Sequence, residues 1–315
     1  MGLDAVAAFA VDTLGGASMG TTWSVRLLAP GRDLRRLHAV VESELARVVA
    51  QMSNWDPDSD ISRFNRASAG SWHRLPNDFW NVLDRALSIA EASDGAFDPT
   101  VGPIVDAWGF GPPGRTADLE RQQCGNLAAR IGWRRMQRRP QDQSILQPGD
   151  LQLDLCAIAK GYAVDLVVAC LRDEGVASAL VEIGGELYGY GRRADGKPWR
   201  VLVDDDGDDE PCVVELDRRA IASSGDRWHH REDADGQRLS HSIDPRLGRP
   251  AADAPHLVSV LAEDAMQADA WATALMVMGA RKGFDFACGK GLAARFVDRE
   301  GRECATPSFA AVLAC

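Results

Sequence analysis

The sequence predicts an α+β fold, on three observations. Short runs of alternating or β-branched apolar residues occur at some points, and apolar residues at helical spacing occur at others. The two kinds of segment are mixed unevenly, without the regular strand-helix-strand rhythm of a parallel sheet. No Gly-x-Gly-x-x-Gly follows a strand, which argues against the commonest dinucleotide-binding turn.

A first strand is expected over 22–28, followed by an amphipathic helix over 37–52 with Leu37, Val41, Leu45 and Val48 on one face. A loop follows at 53–60. Asn77 or Asp78 is placed to cap a second helix reaching Ala92, and Gly95 stands where a left-handed C-terminal cap belongs. The Gly- and Pro-rich FDPTVGPIVDAWGFGPPG reads as shaped loop. A helix over 118–131 and the exposed connector QRRPQDQS come next. Residues 151–155 read as a short strand leading into a helix over 157–172, with Gly175 just past its end. Strands at 179–183, 199–203, 212–216 and 257–261 precede a last helix over 268–278. The acidic DDDGDDE at 204–210 suits a solvated hairpin loop better than a calcium site, because EF-hand spacing is absent.

At 315 residues with 45% apolar and 26% charged side chains, the chain can bury an ordinary core. A net charge of -11 argues against a general electrostatic grip on nucleic acid or anionic membrane, so an anionic ligand needs a dedicated site. The seven cysteines are scattered, odd in number and without a Cys-x-x-Cys pair, as expected of reduced thiols. The N-terminal segment has Asp4 and Asp12, no basic start and no long apolar run, which makes it a poor signal peptide. No stretch of about 18 apolar residues is present to span a membrane. On this reading the expected compartment is the cytoplasm, the alternative being that the sequence is a mature form.

Three constellations suggest chemistry. In LDLCAIAKGYAVD a strand meets a helix, where free N–H groups and a positive dipole end can face an anion and Lys160 can touch a phosphate. The competing reading is a solvated helix start. In ADAWATALMVMG, Asp269 and Thr273 share a helix face and offer oxygen ligands to a hard cation, although Asp near a helix start is also a common cap. Loops around Asp56-Pro, Asp98-Pro and Asp244-Pro carry Trp55, Trp108 and Phe110, which could stack on a planar ring, and His241, able to move a proton near neutral pH. A lone histidine is more often structural.

Taken in order, MGTTW, MSNWDPDSDISRFN, FDPTVGPIVDAWGFG, LDLCAIAKGYAVD, VEIGGELYGYG, IASSGD, SHSIDPRLG and ADAWATAL closely resemble the successive signature blocks of the ApbE flavin transferases. They span residues 19–279, so the resemblance implies an N-terminal extension over 1–18 and a flavin transferase domain over 19–315. The resemblance implies two lobes of mixed or antiparallel sheet with flanking helices, FAD in a cleft between them, and magnesium at its pyrophosphate. It implies FAD contacts at Met19, Trp55, the Ala96, Phe97 and Asp98 turn, Asp154, Lys160 and Ile243. Asp269, Thr273 and the carbonyl of Ala157 are the implied magnesium ligands. His241 matches the histidine near the reacting phosphate.

The expected reaction moves FMN from FAD to a Thr or Ser hydroxyl of an acceptor protein, such as a subunit of a redox complex, with AMP released. Lys160 neutralises the pyrophosphate, and His241, or else Asp244, accepts the hydroxyl proton. The alternatives are an FAD pyrophosphatase giving FMN and AMP, and a non-catalytic FAD-binding protein. Ser242, Leu247 and Arg227 depart from the usual residues of their blocks, and none falls on a metal ligand.

Overall fold

The computed structural model describes residues 11–114, 127, 130–203, 212–225, 230–232 and 238–313. Its framework is an eight-stranded sheet in which every neighbour pairs antiparallel. In spatial order the strands are Asp12–Ser18, Thr21–Leu28, Ser178–Ile183, Glu186–Tyr190, Arg219–Gly225, Leu257–Ala262, Ala293–Val297 and Glu303–Ala305. The fold is α+β, as the irregular order of elements predicts.

The two faces of the sheet follow from alternation along its strands. In Ser178–Ile183, Ala179, Val181 and Ile183 join the main core, while Leu180 joins a second cluster with Trp199, Val214, Leu216 and Phe309. The main-core face is covered by the helices Cys156–Asp173 and Ala265–Met278, hereafter the Lys160 helix and the Asp269 helix. The opposite face is covered by the hairpin Trp199–Leu202 and Val213–Leu216 and by the short helix Pro307–Ala310.

The helix Leu34–Met52 lies against the Lys160 helix and buries Leu37, Val41, Leu45 and Val48, the stripe expected from the sequence. Asp33 caps it by accepting from the Arg35 N–H at 2.9 Å. The helix Asn77–Ala92 forms as expected, but neither Asn77 nor Asp78 caps it: Pro76 holds the cap position. Its Phe79 N–H instead donates to the Gln51 side chain at 3.1 Å, so the first helix supplies the missing acceptor.

Several expectations need correction. Residues 12–18, within the segment read as an extension, form an edge strand. Residues 151–155 are not a strand: Leu151, Leu153 and Leu155 are fully buried and only Gln152 bridges, to Val101. The alternation there is that of a plug between elements. Within the Gly/Pro-rich stretch, Gly102–Ala107 is a short helix with Pro at its start. The helix Asp60–Asn65 begins on the last residue of the expected 53–60 loop. The Asp269 helix is not the last, since Ala280–Lys290 follows it. The helix expected over 118–131 and the acidic run at 204–210 lie almost wholly outside the described residues, as do Asp226 and Arg227. No helix among the described residues is long and apolar enough to cross a membrane, and Cys156, Cys170, Cys212, Cys288 and Cys304 are unbridged.

Candidate active site

The site is assembled where two hairpin turns meet two helices. Ser18 pairs with Thr21 across Met19 and Gly20, whose φ values of 53° and 73° make the two-residue left-handed turn favoured between twisted strands. Ile183 pairs with Glu186 across Gly184 and Gly185 in the same way. Gly184 has φ of 63°, and a Cβ there would lie 2.8 Å from Thr21 Cγ2 and 3.4 Å from Lys160 Cδ. Only glycine lets both turns and the Lys160 stem converge.

Glu186, which opens its strand, is 1% exposed and pairs through Oε1 with Lys160 Nζ. Its other oxygen, Oε2, is buried without a hydrogen-bond partner. Burial pushes Glu186 up, the Lys160 ammonium pulls it back, and Asp269 pushes it up again. For Lys160, burial favours the neutral form, but Asp269 and Glu186 more than offset this and hold it a cation. One positive charge therefore stands between two buried carboxylates, with one carboxylate oxygen unclaimed.

Asp269 is 4% exposed, and its Oδ2 accepts from the Gly161 N–H at 3.0 Å. Burial raises its pKa, opposed by Lys160 and by that hydrogen bond. It is not a helix cap, for Asp264 caps by accepting from the Gln267 N–H at 2.7 Å. Thr273, one turn further on, lies 3.1 Å from Ser224 through their hydroxyl oxygens. Ala157 precedes Gly161 by one helical turn, so its carbonyl is aimed at the same N–H that Asp269 accepts from. A carboxylate, two hydroxyls and a carbonyl form an all-oxygen donor set, which fits a hard cation that completes its shell with water and phosphate oxygens. No group of three or more His, Cys, Asp or Glu suited to a metal occurs among the described residues.

Asp154 sits just before the Lys160 helix, where its Oδ1 accepts from the Cys156 N–H at 2.8 Å. Burial raises its pKa against that bond. Its own N–H donates to the Pro99 carbonyl at 2.8 Å, tying it to the Asp98 turn. Asn54 and Asn65 both donate to the Leu153 carbonyl, at 3.2 and 2.9 Å, so the loop bearing Trp55 docks beside Asp154. Trp55 itself is 58% exposed, an open aromatic face.

Ala96, Phe97 and Asp98 are all buried. The Asp98 carboxylate is used internally, accepting from Thr100 N–H and Oγ1 at 2.8 and 2.6 Å and from the Trp133 N–H at 3.1 Å. The turn can therefore offer a ligand its backbone and not this carboxylate. Trp108 is half-buried and donates to the Gly248 carbonyl at 3.2 Å, so it fastens the 241–248 loop and is not a free stacking platform. Ile243 joins that contact from the other side, packing with Ile104 and Ile131. The short 102–107 helix is thus the spacer between Asp154 and the loop that carries His241, which is partly exposed.

Asp244 is 5% exposed and fully committed: Arg246 donates to it from its N–H, Nε and Nη2 at 3.0, 2.9 and 2.8 Å. It shapes the turn, and with both oxygens accepting from Arg246 it is poorly suited to take a proton. The sequence reading missed Glu186, Ser224 and Asp106. The last is pushed up to about 6 by burial and by Asp154 nearby. The one signal for Glu186 was a lone acid opening an otherwise apolar strand right after two glycines.

Comparison with known proteins identifies the family. The model of the ApbE family matches residues 19–296. A protein of Escherichia coli (strain K12) named FAD:protein FMN transferase is 35% identical over 301 residues, covering 92% of this chain and 85% of the relative. The apo crystal structure of Pseudomonas stutzeri flavinyl transferase ApbE superposes with a TM-score of 0.90 at 36% identity, over 97% of this chain and 98% of that one. The flavin transferase ApbE from Vibrio cholerae gives a TM-score of 0.88 at 33% identity, over 96% of this chain and 100% of that one. Signature blocks, fold and sequence coincide along nearly the whole chain, which belongs to the ApbE family.

Proposed function

We propose that this protein transfers FMN from FAD to a Ser or Thr hydroxyl of an acceptor protein, releasing AMP. The observation that carries the reading is the Lys160, Glu186 and Asp269 cluster: a held cation beside an oxygen-rich helix face, where a diphosphate can be bound and its charge offset. Relatives over most of the chain are named for this reaction.

Lys160 binds and orients the diphosphate, its direction fixed by Glu186 from behind. Asp269, Thr273 and the Ala157 carbonyl would hold a magnesium ion, which when bound supplies further neutralisation of diphosphate charge. Trp55 offers its exposed face to the planar flavin ring. The acceptor oxygen bonds to the FMN phosphorus as the bond from that phosphorus to the bridging oxygen breaks. AMP leaves with the bridging oxygen, and the hydroxyl proton passes to His241. The acceptor we expect is a subunit of a flavin-dependent redox complex.

The test is the partition of products with FAD and magnesium, with and without a protein domain bearing a flavin-accepting Ser or Thr. AMP formed in step with acceptor modification supports transfer. AMP and free FMN at the same rate without acceptor would make the protein a pyrophosphatase, and FAD bound with no AMP formed would make it a carrier.

A further inference from the structure

Asp165 lies one helical turn past Gly161 on the Lys160 helix and has no part in the site described above. Its carboxylate crosses to the start of the Asp269 helix, where Oδ1 accepts from the Ala265 N–H at 2.8 Å and Oδ2 from the Met266 N–H at 2.9 Å. These belong to the first-turn donors that a helix leaves without internal partners. Asp264 takes the next one, from Gln267.

The return contact runs the other way, since Asp269 accepts from Gly161 on the Lys160 helix at 3.0 Å. Each helix therefore gives backbone N–H groups to a carboxylate of the other. The backbones are close enough for this because residue 161 is glycine: a Cβ there would lie 2.2 Å from the Ala265 carbonyl oxygen. Apolar contacts alone would tolerate a slide of one helix along the other. A carboxylate engaged by two adjacent N–H groups does not, because both bonds must keep their length and direction at once.

The consequence falls on the oxygen donors. Asp269 and Thr273 ride on one helix and the Ala157 carbonyl on the other. Their separation is set by how the two helices are registered. We propose that Asp165 is a positioning residue that registers the Asp269 helix on the Lys160 helix, so that Asp269, Thr273 and the Ala157 carbonyl face one divalent cation. The inference rests on the magnesium reading given above.

The experiment compares the full-length protein with Asp165→Asn. Binding of Mn2+ is followed through the paramagnetic resonance of the free ion, with FAD present and no acceptor, and hydrogen exchange is followed at Ala265 and Met266. Asn keeps one acceptor oxygen and turns an NH2 group toward the other N–H, so one bond is replaced by two facing donors. Exchange at one of the two amides is expected to quicken, and Mn2+ binding to weaken roughly tenfold, as when a group that orients metal ligands is lost. Asp165→Glu, which keeps the charge but displaces it, is expected to weaken Mn2+ binding likewise.

A merely structural role would lower the fraction of folded protein and leave the Mn2+ dissociation constant of the remainder unchanged, which would overturn the proposal. Rapid exchange at Ala265 and Met266 in the unaltered protein would overturn it even if the variants fail to fold. An unaltered protein that binds no Mn2+ beside FAD would instead overturn the magnesium reading beneath it.

Discussion

The two ends of the site are built differently. At the helix crossing, Glu186 and Asp269 are 1% and 4% exposed, and Lys160, Gly161 and Asp165 are held by contacts far apart in sequence. At the loop end, Trp55 and Leu247 are 58% and 60% exposed, Asp98 and Asp244 use their carboxylates to shape their turns, and Trp108 uses its N–H to fasten the loop at Gly248. The difference suits what each end is proposed to bind. Charges taken from water must be paired and fixed in place, because a buried carboxylate that loses its partner is costly. A planar ring needs only an apolar face and a shaped backbone, which loops on a rigid scaffold provide.

The contrast can be broken at its strongest point first. Asp269→Ala removes the only carboxylate in the oxygen donor set and is expected to cut transfer at least ~10³-fold, as for other groups that offset developing charge. Its melting curve should stay cooperative, and transfer within tenfold of the unaltered rate would defeat the assignment. His241→Ala should lower kcat by about 10²–10⁴, the usual contribution of a general base. FAD binding by fluorescence should be unchanged in that variant, because the histidine acts on the acceptor.

Glu186→Gln tests whether the buried end is pre-set by the fold. It leaves Lys160 with Asp269 alone, and we expect about a tenfold loss in kcat/KM together with a fall in Tm of about 3–6 °C. An unchanged rate would mean that Lys160 finds its direction from the ligand. At the loop end, Trp55→Ala should raise KM for FAD roughly five- to tenfold with little change in kcat or Tm, the size of one aromatic contact. An equal loss at both ends would erase the contrast.

The smallest effect concerns pH. Asp106 is held at about 6 by burial and by Asp154. Its folded value is raised, so its contribution favours folding at pH below about 4 and is lost as pH rises through about 6. Asp106→Asn should therefore flatten the dependence of Tm on pH between 4 and 6, and an unchanged profile would show that Asp106 is not held above the usual carboxylate range.

Much of this architecture is legible in the sequence, and what is not has physical reasons. The stripe of Leu37, Val41, Leu45 and Val48 announces its helix, and Asp269 and Thr273 share a face by helical period alone. The edge strand at 12–18 and the helix at 280–290 are hidden by glycines, which weaken the local preference that packing then overrides. Buried leucines at 151, 153 and 155 imitate a strand while plugging the core. The Lys160 and Glu186 pair and the Gly161 to Asp269 bond join residues 26 and 108 positions apart, and no local pattern reports a contact of that range.

The central claim is that this site makes a phosphoester between FMN and a protein hydroxyl. The most direct measurement is the intact mass of an acceptor domain incubated with the protein, FAD and magnesium. The account predicts a gain equal to one FMN phosphoester, abolished by chelating the metal and by changing the acceptor Ser or Thr to Ala. An acceptor of unaltered mass while FAD is consumed would contradict it.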